Sequence, residues 1–167
     1  MRRNLKMIEN KFVAWTQYLH WADLNIDRYL DLGECDDSIK IAIAFQWLAS
    51  EYVAIEGWLN LRLNTHPITE FIRNNDKTVD LLRQARNAVY HYQNKILDKR
   101  MLAFVNDYSR IVWVAELHRK FLIYLNEYPN IIYPCEYSKA EFLASFYRLI
   151  GWIPKAEKIT EIAIDVK

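Results

Sequence analysis

From Leu5 to Tyr29 the apolar residues fall at Leu5, Ile8, Phe12, Trp15, Leu19, Ala22, Ile26 and Tyr29, in alternating steps of three and four. A helix turning 3.6 residues at a time puts such positions on one side, as a seam to be buried. Polar residues such as Asn10, Gln17 and Asp31 fall away from that seam. Gly33 is placed to end the helix in the left-handed conformation that closes many helices. Chain-breaking residues are scarce throughout, with three Gly and four Pro among 167 residues. So little punctuation predicts few, long elements. The expected fold is all-α: an up-and-down bundle of four to five helices with a C-terminal helical extension. The length suits a single domain, with a core over about residues 5–128 and the extension over 129–167.

The later helices follow from the same signals. Asp36, Asp37 and Ser38 are amino-terminal caps for a second helix. Its seam is Ile41, Phe45, Leu48, Tyr52, Ile55 and Leu59, while Ile43, Trp47, Val53 and Trp58 add apolar surface on other sides. A helix apolar on several sides is expected at the centre. Glu51 and Glu56 interrupt it and read as solvent-facing or salt-bridged. Pro67 restricts itself and His66 and breaks the helix. Ile68–Arg73 reads as a short helical turn, and Asp76 as a cap for a helix over about Lys77–Asn94. A further helix is expected from Asp98 to Tyr128, where Pro129 would stop it. Its seam runs through Leu102 or Val105, Tyr108, Val112, Ala115, Leu122 and Leu125, with His118 as a partly buried packing residue. Ser138 and Glu141 form a capping box for Lys139–Ile150, which Gly151 would end. The tail from Lys155 reads as a weak helix or an extended strap.

Apolar residues at 52% and charged ones at 26% describe a folded, soluble chain, not a disordered one. Eleven Tyr and six Trp read first as a bulky core and second as a base-stacking surface. A net charge of +1 supplies no global field to gather nucleic acid, so any such site must be a local patch. Cys35 and Cys135 lie far apart in sequence, which allows one disulfide but suits a reduced cytoplasmic interior better. The basic start MRRNLKMIENK has no apolar core after it and is not read as a secretory leader. Ile39–Ser50, the most apolar run, contains Lys40 and Gln46 and is too short to span a bilayer, so no membrane association is expected.

The chemistry-bearing stretch is LLRQARNAVYHYQ, Leu81–Gln93. Arg86 and Asn87 are adjacent, and His91 follows five residues after Arg86. Arginine supplies a permanent planar cation that suits phosphate. Histidine is the side chain best placed to move protons near neutral pH. On an ideal helix Leu81, Leu82, Ala85, Ala88, Val89 and Tyr92 share the apolar face, and Asp80, Gln84, Asn87 and His91 share another. Five residues separate Arg86 from His91 by about 140°. One straight helix therefore cannot easily aim both at one phosphate. Either the helix breaks between them, or a symmetric dimer brings one subunit's Arg86 to the other's His91. The bland alternative is a histidine packed at a helix end and an arginine paired with an acid. No competing chemistry appears: His20, His66, His91 and His118 lack zinc-ligand spacing, and there is no Gly-rich phosphate loop.

RNAVYH on a predicted helix of a small all-helical chain resembles the HEPN superfamily (higher eukaryotes and prokaryotes nucleotide-binding). Those domains are compact bundles marked by Arg-x(4–6)-His, often with Asn, Asp or His straight after the Arg. The resemblance covers about residues 5–128, and its diagnostic part is Arg86, Asn87 and His91. It implies a metal-independent endoribonuclease of the toxin or phage-defence type, without cofactor, homodimeric, with a composite site at the interface. A cognate antitoxin protein is the partner such a toxin would have. In some toxins a Tyr two residues after the His is modified by a partner nucleotidyltransferase. Here that position is Gln93, and Tyr92 stands one residue early.

Under this reading the RNA 2′-hydroxyl is the nucleophile and the products carry a 2′,3′-cyclic phosphate. His91 acts as general base or acid, a role worth about 10²–10⁴ in rate. Arg86 holds the phosphate, for about 10²–10³. Asn87 orients His91 or donates to a phosphate oxygen, and Asp80, Gln84, Tyr90 and Tyr92 line the substrate path. Two other readings use the same fold: a non-catalytic helical interaction module (antitoxin, immunity protein or scaffold), and a nucleotide-binding regulator that reads a phosphate without cutting.

Overall fold

A computed structural model describes residues 2–94, 97–132, 147–148 and 150–154. Among them the chain is an all-α bundle of six helices without strands: α1 (Arg2–Leu30), α2 (Asp37–Asn60), α3 (Pro67–Arg73), α4 (Asp76–Tyr90), α5 (Lys99–Val105) and α6 (Tyr108–Ile132). The seam of α1 is buried as its spacing requires, with Phe12, Trp15, Leu19, Ala22 and Ile26 all at 4% exposure or less. Gly33 follows with φ +53°. Asp36 caps α2 by accepting the Ser38 N–H at 2.6 Å. α2 is the central helix, packed against α1, α4 and α6. Trp47 and Trp58 are buried alongside Phe45, Leu48 and Ile55, so its apolar surface is covered on more than one side. Its seam opens at both ends, where Ile41 and Leu59 are exposed. Among the described residues, no helix is long and apolar enough to cross a membrane.

The tryptophans belong mainly to the core. Trp15, Trp47, Trp58, Trp113 and Trp152 are buried, and Trp21 is exposed. Trp15 donates to the Ala54 carbonyl at 3.1 Å, tying α1 to α2. Trp58 donates to the Thr69 hydroxyl at 2.9 Å, which in turn donates to the Leu63 carbonyl at 2.7 Å, so the turn before α3 is held by a core indole. These two indoles keep an acceptor, which offsets the water bonds lost on burial, while the buried indole N–H groups of Trp47, Trp113 and Trp152 have none among the described residues.

Four expectations need correction. Asp76 is not a cap but the first residue of α4; Asn75 takes the cap position without a side-chain bond. The helix expected from Asp98 is two helices, since Asp107 accepts the Ser109 N–H and hydroxyl and starts α6 afresh. Of the expected seam, Ala115, Leu122 and Leu125 are buried, but Leu102, Tyr108 and Val112 are exposed, and Val114, Leu117 and Phe121 complete the buried stripe of α6. Pro129 does not stop α6, which runs on to Ile132. Proline removes one interior hydrogen bond, and here the helix accommodates that loss over its last turn. The capping box at Ser138 and the tail from Lys155 lie outside the described residues. The end of the expected fifth helix lies within them: Tyr147, Arg148 and Ile150 are helical. Gly151 has φ +80° and bonds the Tyr147 carbonyl.

Candidate functional site

α4 packs its apolar stripe, Leu82, Ala85 and Ala88, onto the bundle. It ends at Tyr90, and His91 adopts an extended backbone with φ −119° and ψ 137°. The expected continuation to Asn94 is therefore corrected, and His91 does not share a helical face with Asp80, Gln84 and Asn87. Ala88–Gln93 and the first turns of α2, from Ser38 to Gln46, line the same groove.

Arg86 and Asn87 remain helical and meet each other. Arg86 Nη1 donates to Asn87 Oδ1 at 3.0 Å, and the guanidinium carbon lies 5.8 Å from the Tyr90 ring centroid, within cation–π range. Arg86 Nε is buried without a hydrogen-bond partner. Its charge reaches α2: burial pushes the Tyr52 phenol up, as do the Glu56 charge and hydrogen bond, while Arg83 and Arg86 pull it back. His91 is exposed on the rim of a groove of about 720 Å³ that Tyr90, Tyr92 and Gln93 also line. Tyr90 and Tyr92 are 57% and 91% exposed. Within one chain no hydrogen bond or ring contact joins Arg86 to His91. Asp80 and Gln84 bond to neither of them. Asp80 pairs with Arg83 at 2.6 Å and accepts from Gln84 at 2.7 Å, and these two hydrogen bonds hold its carboxyl below the usual range.

Neither a family model, a curated protein nor a solved structure matches this chain. Its functional reading rests on its own residues and their geometry.

A second polar cluster, inside the bundle, escaped the sequence reading. His118 on α6 is fully buried, with Nδ1 at 2.7 Å from Glu51 Oε2 on α2 and Nε2 at 3.2 Å from Asp23 Oδ1 on α1. Glu51 is fully buried as well, so it is salt-bridged but not solvent-facing, and its Oε1 has no partner. His118 bridges two carboxylates and is fully buried, where a partly buried packing residue was expected. Burial alone would push its imidazole down. The Glu51 charge, the hydrogen bonds to Asp23 and Glu51, and the Asp23 charge outweigh that and raise it to about 9. The available signal was a charged residue on the apolar surface of α2 and a histidine on the stripe of α6. Among the described residues, no three of His, Cys, Asp and Glu are grouped as a metal site.

Proposed function

We propose that this chain is a metal-independent endoribonuclease of the HEPN toxin or phage-defence type, acting in the cytoplasm as a homodimer. The observation that carries the reading is the state of the RNAVYH string. Its histidine is released from the helix into solvent beside a groove, while its arginine keeps an unpartnered buried Nε on the helical side. The two ends of the motif are presented separately, as a site completed by a second copy requires. Ile39, Ile41, Tyr90, Tyr92, Leu97 and Leu102 are exposed apolar or aromatic residues on α2, the end of α4, the connection after it and α5. Such a surface is suited to burial against a partner.

In the composite site Arg86 and Asn87 of one copy hold a phosphate of RNA, and His91 of the other removes the 2′-hydroxyl proton. The 2′-oxygen bonds to phosphorus, the bond to the 5′-oxygen breaks, and that oxygen takes up a proton. Products are a 2′,3′-cyclic phosphate and a 5′-hydroxyl, and DNA, lacking the nucleophile, is resistant.

The test is cleavage of tRNA and mRNA in EDTA by the parent chain, Arg86→Ala and His91→Ala. Each variant is expected to lose cleavage while staying folded. Mixing the two is expected to restore part of it, because one site of each mixed dimer keeps both groups. Parental cleavage by both variants would overturn the assignment. The same apolar rim suits a non-enzymatic docking module whose partner is a protein such as an antitoxin. Stable co-purification with one partner, with no cleavage at high protein concentration, would favour that reading.

A further inference from the structure

The His91 ring has no hydrogen-bond partner among the described residues, so its position is set through its backbone. That backbone is held by a chain of side-chain bonds. Gln93 Nε2 donates to the His91 carbonyl at 2.6 Å. Gln93 Oε1 accepts from Arg100 Nη2 at 2.6 Å. Arg100 Nε donates to Asp98 Oδ1 at 2.8 Å, and the same oxygen accepts the Arg100 N–H at 2.8 Å as the cap of α5. Both ends of the Gln93 amide are therefore occupied, and each does a job the other end could not. The amide N–H satisfies a carbonyl at the open end of α4, where the backbone acceptors lack helical donors. The amide oxygen accepts from a guanidinium, a charge-assisted bond of the stronger kind. Arg100 is anchored in turn by Asp98, whose carboxyl is held below its usual range by hydrogen bonds from the Arg100 side chain and backbone. The arginine and aspartate side chains are 34% and 17% exposed, so this chain is partly shielded from water.

We infer that Gln93 and Arg100 are positioning residues for His91, linking the end of α4 to the start of α5 so that the imidazole is presented at a constant height on the groove rim. The position at which the resembled toxins carry a tyrosine is here a strut. The catalytic consequence rests on the ribonuclease reading; the structural one does not. Misplacement of a reacting group by about 1 Å can cost about 100-fold in rate, and a residue just past a helix end has few other constraints.

The experiment uses the full chain, with Gln93→Ala, Arg100→Ala and the double variant. Because both residues act through one chain of bonds, the double variant is expected to lose no more than either single one, about 10- to 100-fold in kcat, with KM for RNA within about twofold. An Arg100 that contacted phosphate would raise KM instead, and its loss would add to that of Gln93. Gln93→Glu keeps the acceptor for Arg100 but cannot donate to the His91 carbonyl, so it should behave as Gln93→Ala. Backbone ¹⁵N relaxation supplies a readout without catalysis: the His91 amide should become more mobile on the ps–ns scale in all variants while the amides of α2 keep their order. Unchanged His91 order, or parental kcat in both single variants, overturns the inference. Should the parent chain fail to cleave RNA, the ribonuclease reading falls, and the relaxation data still decide whether Gln93 and Arg100 hold His91.

Discussion

Removing His118 should be more damaging than removing it together with its buried partner. The imidazole and Glu51 are both at 0% exposure and 2.7 Å apart, with Asp23 on the other ring nitrogen. In His118→Gln the Glu51 carboxylate loses its cation but stays in the core. Breaking a buried pair this way costs about 3–5 kcal/mol. In Glu51→Gln/His118→Gln no buried charge is stranded at that contact, and the two amides can hydrogen-bond, so the loss should be smaller. The pH dependence follows from the imidazole. Raising it from 6.5 to about 9 on folding is worth about 3 kcal/mol. Because the folded value is the higher one, that stabilisation is complete below 6.5 and is lost as pH climbs through about 9. Urea unfolding of the parent and the double variant at pH 6 and pH 10 measures this directly. The gap between them should narrow by about 3 kcal/mol over that range. A gap independent of pH, or a single variant no less stable than the double, would refute a charged bridge at the centre of α1, α2 and α6.

Three further outcomes are expected. Thr69→Val leaves the buried Trp58 indole N–H without its acceptor and takes one of two donors from the Leu63 carbonyl, which keeps the His66 N–H; this should lower stability by about 1–3 kcal/mol in urea unfolding. Gly57→Ala would set a methyl 3.0 Å from Cδ1 of the buried Trp15; overpacking of about 1–3 kcal/mol should outweigh the helix-propensity gain of about 1 kcal/mol, seen as a lower Tm. Asp107→Ala removes the cap that starts α6 and should cost about 1 kcal/mol by chemical denaturation.

Much of the bundle was legible because helix formation is a local matter. The three-and-four spacing of Phe12, Trp15, Leu19, Ala22 and Ile26 names the buried face of α1 without reference to any other element. Asp36 could be read as a cap because a carboxylate two residues ahead of an open N–H needs only its neighbours. The candidate site was legible in part for the same reason: Arg86, Asn87 and His91 are a string, and a string can be read. What α4 does at His91 was not in the string, since YHYQ could continue a helix as well as end one. Gln93 and Arg100 act through a contact seven residues apart across the connection between α4 and α5, and helical periodicity carries no information about such a contact.

The sequence by itself determined that this is a helical protein with aromatic seams and a basic–imidazole motif near one helix end, because backbone propensity, capping and side-chain period act over a few residues. Only the tertiary structure decided which polar groups meet. Glu51 and His118 are 67 residues apart, and Asp23 and His118 are 95 apart. Each is an isolated polar residue on its own helix. They become one charged cluster because three helices pack together and bury His118 and Glu51 fully and Asp23 for the most part, so that the imidazole takes both its partners from the two carboxylates.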